Sequence, residues 1–429
     1  MSAQERSLAA VKRRFALTMS VILVFAFAIR IAVRAASGSA FFWKNSYLFY
    51  YTLAHSLANG DGYSAANGHP TAFRVPFYPM FIAAATQGRH DFWALLIAQA
   101  LVSTGTVACA AALAWRFFGR GAALTAAALA ALYPYYVWHD TSLQETGLLT
   151  FLTAFATVLL FATQQSRSLT LAASTGFVLG LAILTRSIVL PFAVFAAAWL
   201  IVTEQSRHAL GKRIATALIC GAAIVATVSP WLIRNHGVTG HWTLSTEFGA
   251  AVYFGNNPHT FDFYPRQTID LSAAAARTAL TADDRSTIGA FRNDEVARGA
   301  WFQRRGMDYI MANPGRFLIG AIRKNLAAFG VLPSPRHDWK TDLIQGGAYG
   351  IILALALVGL WQTRSRWREF VPVYANFILF AGITSVLWAH SSHRAFLDVY
   401  LIVFAASALV AIVPKIRAAF PSARAPHPA

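Results

Sequence analysis

Long apolar runs alternate with short polar connections over most of the chain. A membrane-spanning helix needs about 20 mostly apolar residues, and ten runs come close to that length. These runs are residues 15–33, 92–118, 121–138, 142–162, 169–185, 187–203, 214–233, 343–361, 370–389 and 395–414. The pattern therefore predicts an all-α integral membrane protein with about ten transmembrane helices.

Two longer polar stretches interrupt this pattern. The first, residues 34–91, contains two predicted interfacial helices, at 46–58 and 71–87. The second, residues 234–316, is predicted to form a small outer lobe that is helical over 275–311 and has a stop signal at Pro314.

A short apolar run, residues 317–332, contains Arg323 and Lys324. Each of these would cost roughly 2.5–3.5 kcal/mol at the bilayer centre, so we expect an interfacial helix rather than a span. The chain then divides into an N-terminal transmembrane module (1–233), the outer lobe with its interfacial helix (234–342) and a C-terminal transmembrane module with a tail (343–429).

Composition supports a membrane protein. Hydrophobic residues make up 56% of the 429 residues and charged residues only 13%, which excludes a soluble enzyme and a disordered chain. The formal net charge of +18 fits the preference of Lys and Arg for cytoplasmic loops, and we expect no nucleic-acid partner. Cys109 and Cys220 both lie inside apolar runs and provide neither a disulfide framework nor a zinc site.

The distribution of Lys and Arg also predicts the orientation. Clusters at 12–14, 116–120, 207–213 and 364–368 fall on one side if 317–332 does not span. We therefore expect a multi-pass protein of the bacterial inner membrane with both termini cytoplasmic. The first run lacks a small-residue cleavage site and is predicted to remain as an anchor. Residues 34–91 and the lobe then lie on the outer face.

Several arginines are predicted to lie at the outer ends of separate spans, where guanidinium groups can bind a phosphate bidentately. They are Arg186, Arg234 and Arg394, joined by Arg74 in the first loop. Arg30 and Arg34 are expected instead to reach lipid phosphates by snorkelling. Asp398 follows Arg394 by four residues, a spacing that allows an ion pair on one helix.

Acidic residues are scarce on the predicted outer face, which narrows the choice of a general base. The candidates are Asp61, the acids of the lobe, Asp140 and Glu145. Asp61 lies in the turn signal Asn-Gly-Asp-Gly, where a turn role is favoured. Asp140 starts a predicted span and Glu145 lies just inside it. Carboxylates at this membrane depth are usually functional, although both could be charges favoured at a helix N-terminus. The spacing of His139, Asp140, His390 and His393 is not a recognised metal-ligand pattern, so no metal is predicted.

Several stretches together resemble the GT-C membrane glycosyltransferases that use polyprenyl-phosphate sugars. The likeness is strongest to the branch of the protein O-mannosyltransferases and lipid A aminoarabinose transferases. The stretches are LAHSLANGDGY (53–63), TAFRVPFYP (71–79), LYP (132–134) with Glu145, GLAILTR (180–186), PWLIRN (230–235), Gly249 with YFGNNP (253–258), and NPGRF (313–317).

The resemblance implies an inverting displacement in which an acceptor hydroxyl attacks the anomeric carbon and a polyprenyl phosphate leaves. A carboxylate must take the proton of the hydroxyl, and cations must stabilise the leaving phosphate. The donor is a lipid-linked sugar, no cofactor is required, and the acceptor is a glycan, lipid or protein. The predicted substrate-binding residues are Arg74, Tyr78, Arg186, Arg234, His390, His393 and Arg394.

The sequence departs from the family pattern in its first loop. Family members carry an acid about eight residues before the alanine that matches Ala54, a register that falls on Ser46 and Tyr47 here. No acid occurs between Arg34 and Asp61. We therefore predict Asp140 as the base, with Glu145 as the second choice. Two other hypotheses are a catalytically silent relative that binds a lipid-linked sugar and a secondary transporter.

Overall fold

The computed structural model describes residues 3–44, 47–202, 209–335 and 338–419. The first ten helices cover the N-terminal half of the chain. They are α1 (Ala3–Ser37), α2 (Ser39–Lys44), α3 (Leu48–Ala58), α4 (Phe77–Thr86), α5 (Phe92–Leu132), α6 (Pro134–His139), α7 (Thr146–Ser166), α8 (Leu169–Thr185), α9 (Leu190–Val202) and α10 (Leu210–Thr239).

The second ten helices form the lobe and the last spans. They are α11 (Phe248–Gly255), α12 (Thr260–Phe263), α13 (Ile269–Thr278), α14 (Ala282–Ala290), α15 (Glu295–Ala312), α16 (Pro314–Phe329), α17 (Trp339–Thr341), α18 (Gly347–Gln362), α19 (Val371–Val386) and α20 (Ser391–Ala419). Two 3₁₀ segments, Ser187–Val189 and Arg364–Phe370, and a π segment, Asp342–Gly346, join neighbouring helices.

In the described part of the chain, seven helical segments are long and apolar enough to cross a membrane. They are Ala9–Ser37, Phe92–Leu132, Thr146–Ser166, Leu210–Thr239, Trp339–Gln362, Arg364–Val386 and Ser391–Ile412. Three apolar segments, Phe77–Thr86, Leu169–Thr185 and Ser187–Val202, are shorter. The all-α membrane class is confirmed, and the count of ten stays a prediction.

The predicted span 121–138 is wrong at its end. Helix α5 contains a non-helical Gly119 with φ of 82° and then stops at Leu132, because Tyr133 is extended. Pro134 begins the short helix α6, where its missing N–H leaves no backbone donor unsatisfied. The next span starts only at Thr146, four residues later than predicted.

One hydrophobic core joins the early and late spans. Helix α20 packs against α5, α7 and α18, and α8 packs against α10 and α7. The approach of α8 to α10 depends on Gly176, where an added Cβ would lie 2.1 Å from the carbonyl oxygen of Cys220. The N-terminal and C-terminal transmembrane modules therefore pack as one bundle in the described residues, and the three-part division stays a prediction.

The lobe differs from the continuous helix predicted over 275–311. It contains α13, α14 and α15 over this stretch, because Thr281 and Asp294 each cap a new helix with their side chains. Tyr253, Ala276 and Phe302 form a small core where α11 packs on α15. The lobe contacts the helix bundle at the end of α11, where the Asn256 side chain donates to the carbonyl oxygen of Val386 in α19 at 2.7 Å.

The predicted interfacial helices are partly right. The helix expected over 46–58 is α3, whereas the one expected over 71–87 is only α4, because residues 71–76 are not helical. The helix expected over 317–332 is α16, which packs against α19. Its exposed apolar residues include Leu318 and Ile322, each 63% exposed, which suits a helix lying at an interface.

Candidate active site

A loop from the first polar stretch is fastened to the end of α10. Arg234 donates from Nη1 to the carbonyl oxygen of Thr71 at 2.6 Å and from Nη2 to that of Tyr63 at 2.8 Å. Its guanidinium also lies 5.0 Å from the ring centroid of Trp231. Arg234, predicted to bind substrate, therefore has its described hydrogen bonds directed to the protein chain.

Glu295, the first residue of α15, holds the same loop from the other side. Its carboxylate accepts from the Thr71 hydroxyl at 2.6 Å, the Ala72 amide at 3.0 Å and the Thr246 hydroxyl at 3.0 Å. The Tyr63 hydroxyl adds a hydrogen bond to the carbonyl oxygen of Arg74 at 3.1 Å. The backbone that carries Arg74 is thus fixed from three sides.

The Arg74 side chain forms an ion pair with Glu247. Nη1 lies 2.7 Å from Oε2, and both side chains are 31% exposed. Glu247 occupies the N-terminal boundary of α11, immediately after the segment that bonds to the loop. Burial raises the pKa of Glu247, while Arg74 and Arg186 act in the opposite direction.

A second ion pair joins two neighbouring helix ends. Glu145 lies at the N-terminal boundary of α7, and Arg186 ends α8 in an extended conformation before the 3₁₀ segment Ser187–Val189. Nη1 of Arg186 lies 3.7 Å from Oε1 of Glu145, with side-chain exposures of 16% and 11%. This pair is looser than that of Arg74 and Glu247.

The two pairs adjoin, and we name Arg74, Glu145, Arg186 and Glu247 the ion cluster. Glu247 experiences the charges of the other three members, and so does the phenol of the buried Tyr50. The cluster holds two guanidinium groups and two carboxylates, three of them at helix ends and Arg74 in the first loop. Such a site can bind an anion and accept a proton within a few ångströms.

Aromatic and imidazole groups surround the cluster. Tyr78 is 1% exposed, packs 5.1 Å from the ring of Tyr50 and experiences the charge of Glu145. His393 lies within electrostatic range of Arg186 and Arg74. The structure therefore brings together Arg74, Tyr78, Glu145, Arg186 and His393 from the predicted site.

His390 belongs to an adjacent contact. It is 8% exposed, its Nδ1 lies 3.2 Å from the Ser334 hydroxyl, and its ring centroid is 5.9 Å from that of His393. Tyr47 occupies the register of the family acid, and the charges of Glu145, Arg186 and Arg74 act on its phenol. Ser46, the other residue at this register, lies outside the described residues.

Asp140 lies in a different, interior network. It is 2% exposed, and its Oδ2 accepts from the Ser103 hydroxyl, which in turn accepts from Nε of Arg30 at 2.6 Å. Burial raises the pKa of Asp140 to about 6, and the charge of Arg30 opposes that shift. The side-chain partners described for Asp140 are thus distinct from the ion cluster.

The expectation that Arg30 and Arg34 snorkel to lipid is wrong. Arg30 is fully buried and donates to the carbonyl oxygens of Ala26 and Ala131 at 2.9 and 3.2 Å. Arg34 is 2% exposed and donates to Thr141. Backbone carbonyl oxygens near the ends of α5 and α6 accept from both guanidinium groups, which accounts for their inward orientation.

Arg394 forms the ion pair predicted with Asp398, at 3.3 Å and with exposures of 3% and 1%. Its guanidinium lies 3.3 Å from the ring centroid of Tyr349, and Tyr133 donates to the other carboxylate oxygen of Asp398 at 2.9 Å. Arg394 is thus deeply buried and paired with Asp398. Phosphate binding by this residue stays a prediction.

Sequence reasoning included Glu247 only among the acids of the lobe and did not single it out. The signal was its position as the first acid after the PWLIRN stretch, directly before Phe248 and Gly249. Within the described residues, no group of three or more His, Cys, Asp or Glu side chains is arranged to hold a metal ion.

Comparisons with known proteins identify the class of fold. The family model described as dolichyl-phosphate-mannose-protein mannosyltransferase matches residues 69–233, which is less than half of the chain. This stretch contains Arg74, Glu145 and Arg186 but ends before Arg234 and Glu247. No protein of curated function matches the sequence.

Solved structures share the fold at low sequence identity. The archaeal oligosaccharyltransferase AglB from Archaeoglobus fulgidus, in complex with an inhibitory peptide and a dolichol-phosphate, matches with a TM-score of 0.51 and 16% identity. That match covers 96% of this chain and 52% of the other. The structure of the Archaeoglobus fulgidus oligosaccharyltransferase tethered with an acceptor peptide matches with a TM-score of 0.55 and 15% identity. That match covers 94% of this chain and 50% of the other.

A third match, to ArnT from Cupriavidus metallidurans bound to undecaprenyl phosphate, has 15% identity over 96% and 81% of the two chains, but its TM-score of 0.39 is too low to support an argument. The chain spans about half the length of the archaeal oligosaccharyltransferase. The predicted resemblance is confirmed by the family-model match and, for the fold, by the structural matches: this chain shares the membrane fold of the archaeal oligosaccharyltransferase.

Proposed function

We propose that the chain is an integral membrane glycosyltransferase that moves a sugar from a polyprenyl-phosphate donor to an acceptor hydroxyl on the non-cytoplasmic face. The observation that carries this proposal is the pairing of Glu145 with Arg186 inside the ion cluster. A proton acceptor and a phosphate-binding cation are thereby held at adjacent helix ends. The family match over 69–233 supports the same chemistry.

The charge balance of the cluster suggests how the donor binds. Two guanidinium groups and two carboxylates cancel, so we expect an incoming phosphate to compete with one of the carboxylates for its guanidinium. The Arg186–Glu145 contact, at 3.7 Å, is longer than the Arg74–Glu247 contact, at 2.7 Å. Glu145 is therefore the carboxylate that the phosphate displaces more easily. Arg186 turns to the phosphate, and Glu145 becomes free to face the acceptor.

In the displacement, the acceptor oxygen forms a bond to the anomeric carbon while the bond from that carbon to the phosphate oxygen breaks. Glu145 takes the hydroxyl proton, and the electron pair of the breaking bond stays on the phosphate. Arg186 and Arg74 stabilise the charge that builds there, in a site where Tyr50 and Tyr78 exclude water. Glu145 thus replaces Asp140 as the preferred base.

The test compares Glu145→Gln with Asp140→Asn in purified full-length protein and a radiolabelled polyprenyl-phosphate sugar. We expect Glu145→Gln to lower the rate of transfer by about 10²-fold or more without weakening donor binding, because the variant also removes the carboxylate that competes with the phosphate for Arg186. Asp140→Asn should affect stability more than the rate measured on folded protein. The reverse pattern would restore Asp140 as the base.

The silent-relative hypothesis makes a separate prediction in the same assay. If the wild-type protein binds the labelled donor, loses that binding in Arg186→Gln, and transfers no sugar to any glycan, lipid or peptide acceptor, the chain is a binding protein. Donor-independent uptake of a solute into proteoliposomes would favour the transporter hypothesis.

A further inference from the structure

A cavity lies at the far end of the helix bundle from the ion cluster. Its volume is about 860 Å³, and its wall includes Trp115 and Arg116 from α5, Phe161 and Gln164 from α7, and Glu369 from the 3₁₀ segment Arg364–Phe370. None of these residues belongs to the site proposed for sugar transfer.

The length of α7 places this cavity at the opposite membrane surface. Glu145 bounds α7 at one end, and Gln164 lies near the other. The separation in sequence corresponds to about 29 Å of α-helix at about 1.5 Å per residue. This distance is close to the hydrocarbon thickness of a bilayer, about 30 Å. The cavity therefore lies beside the lipid headgroups of the leaflet opposite the ion cluster.

The cavity carries a positive charge that is not neutralised by a close ion pair. Arg116 donates to the amide oxygen of Gln165 at 2.8 Å and to that of Gln164 at 3.3 Å, both neutral groups. Glu369 also lines the cavity and its charge acts on Arg116 from a distance, but its carboxylate is bound by Arg366 at 2.7 and 2.9 Å. Among the described residues, no carboxylate lies within 4 Å of Arg116.

The rest of the wall suits the apolar part of a lipid. Trp115 is 45% exposed, and its ring packs edge-on against Phe15 of α1 at 4.5 Å. Phe161 lies 5.2 Å from the guanidinium of Arg116. Tryptophan is enriched at the depth where acyl chains meet headgroups, because its ring is apolar and its N–H is polar.

We propose that this cavity binds an anionic phospholipid of the leaflet opposite the sugar-transfer site, with its phosphate on Arg116 and an acyl chain against Trp115. The Gln164 and Gln165 amides orient the guanidinium from one side and leave its charge available to the phosphate. A bound lipid would fasten α5 to α7 and to the segment before α19.

The test measures lipid retention by the purified full-length protein in detergent, using native mass spectrometry. The probes are phosphatidylglycerol and phosphatidylcholine with identical acyl chains. We expect the wild-type protein to retain phosphatidylglycerol preferentially, and Arg116→Gln to weaken its retention by about tenfold, the loss expected for one charge-assisted contact. Arg368→Gln is the matched control, because it removes an exposed charge from the same end of the bundle.

A second variant keeps the charge and fills the space. Ala112 lines the cavity and is exposed, so Ala112→Trp should also reduce retention while Arg116 remains. Equal retention of the two lipids, or equal losses in Arg116→Gln and Arg368→Gln, would overturn the proposal. Displacement of phosphatidylglycerol by millimolar glycerol 3-phosphate would show that the site takes a soluble phosphate instead.

Discussion

Replacing Arg234 with alanine separates two roles for this residue, ligand of the donor phosphate and clamp of the first loop. The structure directs its guanidinium to the carbonyl oxygens of Thr71 and Tyr63 at 2.6 and 2.8 Å. It also stacks on Trp231 at 5.0 Å. We therefore expect Arg234→Ala to loosen the loop that carries Arg74 rather than to remove a direct phosphate contact.

The magnitude follows from these contacts. A hydrogen bond from a charged donor contributes about 1.5–3 kcal/mol, and a partly exposed cation–π contact adds about 0.5–1 kcal/mol. Arg234 is half-buried, so water recovers part of the loss. We expect Arg234→Ala to lower the free energy of unfolding by about 3 kcal/mol and to weaken donor binding only as far as Arg74 is displaced.

The assay is a double-mutant cycle with Glu295→Gln, measured by chemical denaturation in mixed micelles. Both variants release the same loop, so their losses in the free energy of unfolding should be less than additive, by about 1–2 kcal/mol. Arg292→Ala, an exposed change in the same lobe, should leave stability unaltered. Unchanged stability in Arg234→Ala together with complete loss of phosphate-lipid binding would refute the clamp and assign a ligand role.

Three further predictions concern stability, each measured by the apparent melting temperature in detergent. Lys324 is 1% exposed, and burial lowers its pKa to about 7. Because the unfolded chain binds the proton more readily, stability should fall as the pH drops from about 10.5 to 7, and Lys324→Met should flatten that slope. Gly255→Ala should lower the free energy of unfolding by about 1–3 kcal/mol, because the added Cβ would lie 2.1 Å from a carbonyl oxygen at the end of α19. The control Gly382→Ala has open space around the added Cβ and should be neutral or stabilising. Arg394→Gln should cost about 3–5 kcal/mol by leaving Asp398 buried without its ion pair, and the added change Asp398→Asn should recover part of the loss.

Local patterns in the sequence identified most of the structure that a bilayer imposes. Apolar runs predicted the spans because the hydrocarbon core requires each helix to satisfy its own backbone and to cover it with apolar side chains. The Arg394–Asp398 pair was also predictable, because a spacing of four residues brings two side chains together on any α-helix. The break at Tyr133 was harder to predict, since the apolar pattern continues through it into α6.

The composition of the candidate site depended on contacts between distant parts of the chain. Asp140 and Glu145 are five residues apart, and both are carboxylates near the predicted membrane surface, with Asp140 predicted first as the base. One lies beside Ser103 and Arg30 in the interior, and the other faces Arg186 in the ion cluster. The pairing of Arg74 with Glu247 joins the first loop to the lobe and leaves no periodic signal.

The sequence by itself determined a multi-span helical membrane protein whose motifs resemble those of polyprenyl-phosphate glycosyltransferases, because hydrophobic length and local motifs are properties of contiguous residues. Only the tertiary structure decided which charges meet. A buried guanidinium binds whichever carboxylate or carbonyl group the packing of the helices places beside it. Arg30 therefore turns inward although it lies in an apolar span, and Glu247 enters the site although it belongs to the lobe.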